Sequence, residues 1–155
     1  MDFDGNIVDP FNGKQDIKSK IIRATGDPKI RFSEDPLRML RAVRFVSKLG
    51  FNIEGKTKES IYNNAHSILS VSRERWCEEF NKLLMGSHVE KGLEVLKQTR
   101  LLSLMIPEFQ PVLMTDPNAF LPSKNLWFHT KKVVSQCSKK LPVLWAGLLH
   151  DIAKP

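Results

Sequence analysis

Cysteine is scarce in this 155-residue chain: there are two, Cys77 and Cys137, far apart and without CxxC spacing. That excludes a disulfide framework and a zinc knuckle built on paired thiolates. Long apolar runs are missing too. The longest, from Leu141 to Leu149, falls far short of the roughly 20 residues a membrane helix needs. The first residues, Met1-Asp2-Phe3-Asp4, are acidic and lack the apolar core of a signal peptide. No internal repeat and no low-complexity tract is present. These absences predict a cytoplasmic protein with no membrane partner.

What the chain has in excess is positive charge. Lys and Arg number 24 against 17 Asp and Glu, a formal net charge of +7. Such a surface draws polyanions, and RNA, DNA and nucleotides head that class. Plain solubility charge would give the same sum, so charge alone does not choose. Hydrophobic residues make up 41% and charged residues 26%, which suits a packed core and not a disordered chain.

Residues 1–32 read differently from the rest. Phe3 to Val8 suggests a strand, a turn and another strand, and Asp9-Pro10-Phe11-Asn12-Gly13 is a second turn signal. Asp16 to Lys20 reads as a short helical turn and Lys20 to Ala24 as a strand. A sheet remnant this small buries no face of its own, so it reads as the edge of a sheet whose other strands are absent. From Ser33 onward the periodicity predicts helices over 35–49, 57–68, 72–86, 88–102, 124–139 and 141–152. Four prolines (107, 111, 117 and 122) make 107–123 an irregular connection between two helical units.

The helix over 35–49 carries the most information. At about 100° per residue, Met39, Leu40, Val43 and Val46 form one apolar face. Ala42, Phe45 and Leu49 extend that face around one side, and Arg41, Arg44 and Lys48 share the opposite stripe. Asp35 and Arg38 fall near the Ala42–Phe45 side. A carboxylate and a guanidinium presented together there can match the edge of a base. The bland alternative is a helix cap, with Asp35 ahead of Pro36 and Arg38 simply paired to it.

The run Arg31-Phe32-Ser33-Glu34-Asp35-Pro36-Leu37-Arg38-Met39-Leu40-Arg41-Ala42-Val43-Arg44-Phe45 closely resembles a signature of class II nucleotidyltransferases. That family includes CCA-adding enzymes and bacterial poly(A) polymerases. The resemblance extends to Val8-Asp9-Pro10-Phe11 with Gly13 and Asp16, then to Ile22-Arg23 and Gly26-Asp27-Pro28. It implies that Asp35 and Arg38 act as an amino-acid template for ATP or CTP. Arg41 and Arg44 would then contact triphosphate or RNA phosphates.

Ser72-Arg73-Glu74-Arg75-Trp76-Cys77-Glu78-Glu79 resembles the family helix that supports the nucleotide-reading helix. Ser72 reads as its N-cap, and Glu74, Arg75 and Glu79 as the supporting residues. An exposed i,i+4 charge network remains the alternative. Trp76 stands where the family has an aliphatic residue, which implies altered local packing. Leu148-Leu149-His150-Asp151-Ile152-Ala153-Lys154-Pro155 resembles the HD superfamily signature, with His129 as the upstream histidine. It implies an incomplete divalent-metal site of His129, His150 and Asp151, lacking the last aspartate of the pattern. A lone His-Asp on an apolar helix is otherwise structural.

Nucleotidyl transfer needs metal ions held by carboxylates. In the family these lie in a Gly-Ser…Asp-x-Asp head, upstream of the region matching Met1. Asp2 and Asp4 have the Asp-x-Asp spacing but not the Gly-Ser turn. The expectation is therefore a chain without catalytic residues, inactive alone, with Mg2+ bound mainly by the missing head. That head could be encoded separately. The expected fold is mostly α: a helical bundle with a small N-terminal β remnant and a truncated HD-type segment. The expected divisions are 1–32 (head edge), 33–106 (nucleotide-reading and RNA-binding helices), 107–123 (connection) and 124–155 (HD segment). The expected partners are ATP, CTP and the 3′ end of a tRNA or other RNA. A poly(A) polymerase segment and an inactive RNA-binding module are the competing readings. Apolar surface is expected where the missing parts pack.

Overall fold

The computed structural model describes residues 8–114 and 125–154. The strand expected before Val8, the Asp2–Asp4 pair, and Pro117 and Pro122 lie outside the described residues. The fold is mostly α, as expected. Its order is α1 (Gly13–Lys18), β1 (Ile21–Ile22), α2 (Pro28–Glu34), α3 (Leu37–Leu49), β2 (Asn52–Ile53), α4 (Gly55–Asn64), a 3-10 segment (Ala65–Ser70), α5 (Arg73–Leu84), α6 (Val89–Gln98), α7 (Leu101–Met105), a 3-10 turn (Pro107–Phe109), α8 (Gln110–Leu113), α9 (Leu126–Gln136) and α10 (Leu141–Leu149). Among the described residues no helix is long and apolar enough to cross a membrane.

Several expectations are corrected. The strand near Ile21 is paired after all: it runs parallel to β2, with Ile21 opposite Asn52 and Ile22 opposite Ile53. The long crossover a parallel pair requires is supplied by α2 and α3. Residues 28–32, placed in the N-terminal head edge and given no element of their own, belong to a helix that runs from Pro28 to Glu34. Asp27 caps it, accepting the Lys29 N–H at 2.9 Å, and Pro28 fills the first turn. The helix expected over 88–102 is broken in two at Arg100, whose φ is +65°. Residues 107–113 are not an irregular connection. They form a 3-10 turn and a short helix that bury Phe109 and Val112.

The core is one contiguous apolar cluster. Met39, Leu40 and Val43 of α3 meet Phe80, Leu83 and Leu84 of α5 and Leu93 and Leu96 of α6, and the same cluster takes in Trp127, Val134, Leu144 and Leu148 of α9 and α10. The face predicted for α3 is therefore the one that is buried. Ser47, on no predicted face, is buried as well, and its hydroxyl donates to the Leu83 carbonyl at 2.6 Å. The turn after α5 and helix α6 approach α3 there so closely that a Cβ on Gly86 would sit 2.1 Å from Ser47 Oγ, and one on Gly92 2.7 Å from Ser47 Cβ.

Trp76 meets Phe80 edge-on at 6.4 Å, and Phe80 stacks on Trp145 of α10 at 5.1 Å. Trp145 Nε1–H also donates to Asn81 at 2.7 Å, so Trp76 borders the seam that docks α10 on α5. Large apolar side chains at Val8, Phe11, Ile17 and Ile30 are exposed.

Candidate functional site

Asp35 lies between two helices because Pro36 follows it. Proline disfavours the helical conformation for the residue before it, and Asp35 is extended, with φ −148°. Its Oδ1 accepts the Leu37 N–H at 3.2 Å and caps the start of α3. The same oxygen lies 3.4 Å from Arg75 Nη2.

Asp35 does cap the helix, but the Arg38 side chain does not pair with it. Its Nη1 donates to Glu34 Oε2 at 2.6 Å and to the Arg31 carbonyl at 3.0 Å. Arg31 Nη1 donates to the same Glu34 oxygen at 2.7 Å. The hydrogen bond from Arg38, helped by the charge of Arg31, holds the Glu34 carboxyl below its ordinary value against the opposing effect of desolvation.

Beside this cluster is a cavity of about 250 Å³. Arg23, Arg31, Arg38 and Arg41 line it, together with apolar Phe32, Ala42 and Phe45. Ala42 and Phe45 thus continue the apolar face of α3 into a cavity wall. Arg23 is held from behind by Asp16 at 2.9 Å and Glu54 at 3.2 Å. Glu54 also accepts from the backbone N–H and hydroxyl of Thr57, each at 2.7 Å, and Thr57 lines the cavity too. Sequence reasoning quoted Arg23 and Arg31 within the resemblance but gave them no role. No periodicity links them to Arg38, because a turn and the boundary between α2 and α3 intervene. Asp35 is not among the lining residues.

The predicted arginine stripe is divided. Arg41 faces the cavity, whereas Arg44 lines a second groove with Lys48, Asn81 and Lys82. Glu79, at 6% exposure, anchors both sides of this division. Its carboxylate is 3.7 Å from Arg41, 2.9 Å from Arg44 and 3.3 Å from Lys82. Arg44 Nε and Glu79 Oε2 face each other without the alignment of a hydrogen bond, so charge attraction holds them.

Arg75 and Glu79 therefore do contact the segment they were expected to support, and Glu79 is no member of an exposed network. Glu74 does not. Its carboxyl is held below the ordinary range by its own backbone N–H, then by the Ser72 hydroxyl. Ser72 occupies the N-cap position of α5, but its hydroxyl caps no backbone N–H.

At the other end, His129 of α9 and His150 and Asp151 after α10 converge, with one ligand atom of each within 4.8 Å of the others. His150 Nε2 lies 3.3 Å from His129 Nε2 and 3.3 Å from Asp151 Oδ2. His150 Nδ1 contacts the Gly147 carbonyl at 2.8 Å. That contact needs a proton on Nδ1, which leaves the Nε2 lone pair facing the cluster. Lys154 takes the other Asp151 oxygen at 2.8 Å. Its hydrogen bond, and then the neighbouring histidines, hold the Asp151 carboxyl below its ordinary value against desolvation. Two imidazoles and a carboxylate suit a divalent ion.

A family model described as "Probable RNA and SrmB- binding site of polymerase A" matches residues 50–113. The CCA-adding enzyme of Lactobacillus helveticus is 49% identical over 109 residues, 70% of this chain and 27% of that protein. The CCA-adding enzyme of Bacillus subtilis is 50% identical over 101 residues, 65% of this chain and 25% of that protein. The chain spans about a quarter of the length of these curated relatives.

Among solved structures, the Bacillus stearothermophilus CCA-adding enzyme in complex with CTP matches with a TM-score of 0.74 at 34% identity, covering 100% of this chain and 36% of that one. A tRNA nucleotidyltransferase complexed with a primer tRNA and an incoming ATP analog matches at 0.64 and 26% identity, covering 84% of this chain and 42% of that one.

Proposed function

We propose, for a chain that belongs to the class II tRNA nucleotidyltransferase and bacterial poly(A) polymerase family, that this segment selects ATP or CTP and holds the tRNA 3′ end during CCA addition. The observation that carries the reading is the convergence of Arg23, Arg31, Arg38 and Arg41 on one cavity with an apolar wall. An apolar wall accepts the flat face of a base, and guanidiniums accept phosphate oxygens.

Arg38 spends one nitrogen on Glu34 and the Arg31 carbonyl, which leaves donors for a base edge. Asp35 and Arg38 form the template, and Arg41 takes the triphosphate. Arg44, across the helix, takes RNA phosphates. Arg75 and Glu79 position Asp35, Arg41 and Arg44. That the relatives named above are CCA-adding enzymes favours CCA addition over poly(A) addition. The transfer step and its Mg2+ are assigned to carboxylates of the catalytic head that the family resemblance implies, and not to residues of this segment.

The test is calorimetric titration of the chain with each of the four ribonucleoside triphosphates. Arg38→Ala should erase the preference for ATP and CTP over GTP and UTP. An equal loss for all four nucleotides would sink the template role.

A second reading rests on the His129–His150–Asp151 cluster. These residues hold a divalent ion, which when bound supplies charge to polarise water. His129 and His150 offer imidazole nitrogens, and Asp151 a carboxylate. Titration with Mn2+ should give a binding isotherm that His129→Ala and Asp151→Asn abolish. Equal isotherms for wild type and both variants would remove this site.

A further inference from the structure

One rim of the arginine cavity is a segment with little regular structure of its own. Ile22 ends the short strand β1, and α2 begins only at Pro28. Ile22, Arg23, Ala24 and Thr25 all line the cavity. A connecting segment of this kind takes its shape from what holds it.

Glu54 and Thr57, at the start of α4, hold three successive residues of this rim. The Glu54 N–H donates to the Ile22 carbonyl at 2.9 Å. Glu54 Oε1 lies 3.2 Å from Arg23 Nη1. The Thr57 hydroxyl accepts the Ala24 N–H at 3.2 Å and donates to Glu54 Oε2 at 2.7 Å. Thr57 is buried, at 1% exposure. One hydroxyl thus joins the rim backbone to the carboxylate that holds the Arg23 side chain. Helix α4 does not need that hydroxyl for its cap, because Glu54 Oε2 already accepts the Thr57 backbone N–H at 2.7 Å.

We propose that Thr57 is a positioning residue for the nucleotide: its hydroxyl fixes the 22–25 rim, and through Glu54 the Arg23 guanidinium, in the geometry that receives the triphosphate. The inference rests on the reading of the cavity as a nucleoside triphosphate site and adds to it a buried residue that acts through its neighbours. Arg23 has N–H groups beyond those that face Asp16 and Glu54. A rim ordered before binding spares the ligand the entropy of ordering it, and that difference appears as affinity. A residue that served the fold alone would change stability and leave the affinity of the folded chain as it was.

The test uses the full 155-residue chain, calorimetric titration with ATP and CTP, thermal denaturation, and amide hydrogen exchange followed by NMR. Thr57→Val keeps the backbone cap and a similar shape and removes the hydroxyl. It should weaken ATP and CTP binding about tenfold, the scale of one lost hydrogen bond, and speed exchange of the Ala24 N–H. Thr57→Ser keeps the hydroxyl and should bind both nucleotides as the wild type does. Ile61→Val, a change in the buried face of the same helix, should lower the melting temperature with nucleotide affinity unchanged.

Equal affinity in the wild type and Thr57→Val overturns the positioning role. So does an equal loss in Thr57→Val, Thr57→Ser and Ile61→Val, the result expected of lost stability alone. A wild-type chain that binds no nucleoside triphosphate overturns the cavity reading and this inference with it. Binding that Arg38→Ala alters and Thr57→Val does not overturns this inference alone.

Discussion

The Arg38 guanidinium pairs with Glu34, one turn behind it, while Asp35 turns its carboxylate to the Leu37 N–H. The two residues proposed as the template are thereby held by different partners. Glu34 is spaced i,i+4 from Arg38, which favours pairing along a helix face. Asp35 is too short and too occupied as a cap to compete.

Glu34→Gln should release Arg38 and Arg31 from their shared oxygen without unfolding the chain, because the pairing is largely exposed. The expected outcome is an altered preference among nucleoside triphosphates with an unchanged melting temperature. Calorimetry and thermal denaturation read the two quantities separately.

Glu79 is the shared counter-charge of Arg41, Arg44 and Lys82. Glu79→Ala leaves Arg44, at 20% side-chain exposure, without its carboxylate, the Phe45 ring being its other contact. Breaking such a pair from one side costs about 3 kcal/mol. Urea denaturation should show that loss, and Arg44→Met in the same chain should recover part of it.

The crossing at Ser47 predicts two glycine variants with different rescue. Gly86→Ala meets Ser47 Oγ at 2.1 Å and the Ser47 carbonyl oxygen at 2.6 Å, so Ser47→Gly cannot restore it. Gly92→Ala meets Ser47 Cβ at 2.7 Å and Cα at 3.4 Å, so Ser47→Gly removes the nearest obstacle. Each single glycine variant should cost about 2 kcal/mol or more, measured by chemical denaturation.

Glu94 binds α9 to α6 through Lys131 and the Trp127 indole N–H, the latter at 3.1 Å. Burial pushes its pKa up, but the Lys131 and Trp127 contacts outweigh burial and leave it below the ordinary glutamate value. A carboxyl lowered on folding contributes stability above its unfolded pKa and loses it as pH falls through the folded one. Stability should therefore decline below about pH 4.5. Glu94→Gln should shrink that decline, with Trp127 fluorescence as the readout.

The sequence by itself determined much of this protein. The periodicity of 37–49 marked Met39, Leu40, Val43 and Val46 as core, because burial of a helix face is a local, repeating property. The run from Arg31 to Phe45 pointed to the family, and the His-Asp pair pointed back to His129.

Only the tertiary structure decided which cations share a site. Arg23 reaches the cavity through the β1–β2 pairing and its Asp16 and Glu54 partners, contacts that no spacing rule contains. Arg41 and Arg44, three residues apart on one stripe, face different grooves because buried Glu79 stands between them. The break at Arg100 was hidden for the same reason. A positive φ at a residue other than glycine is imposed by packing on both sides, and the apolar pattern of 89–105 runs through it without interruption.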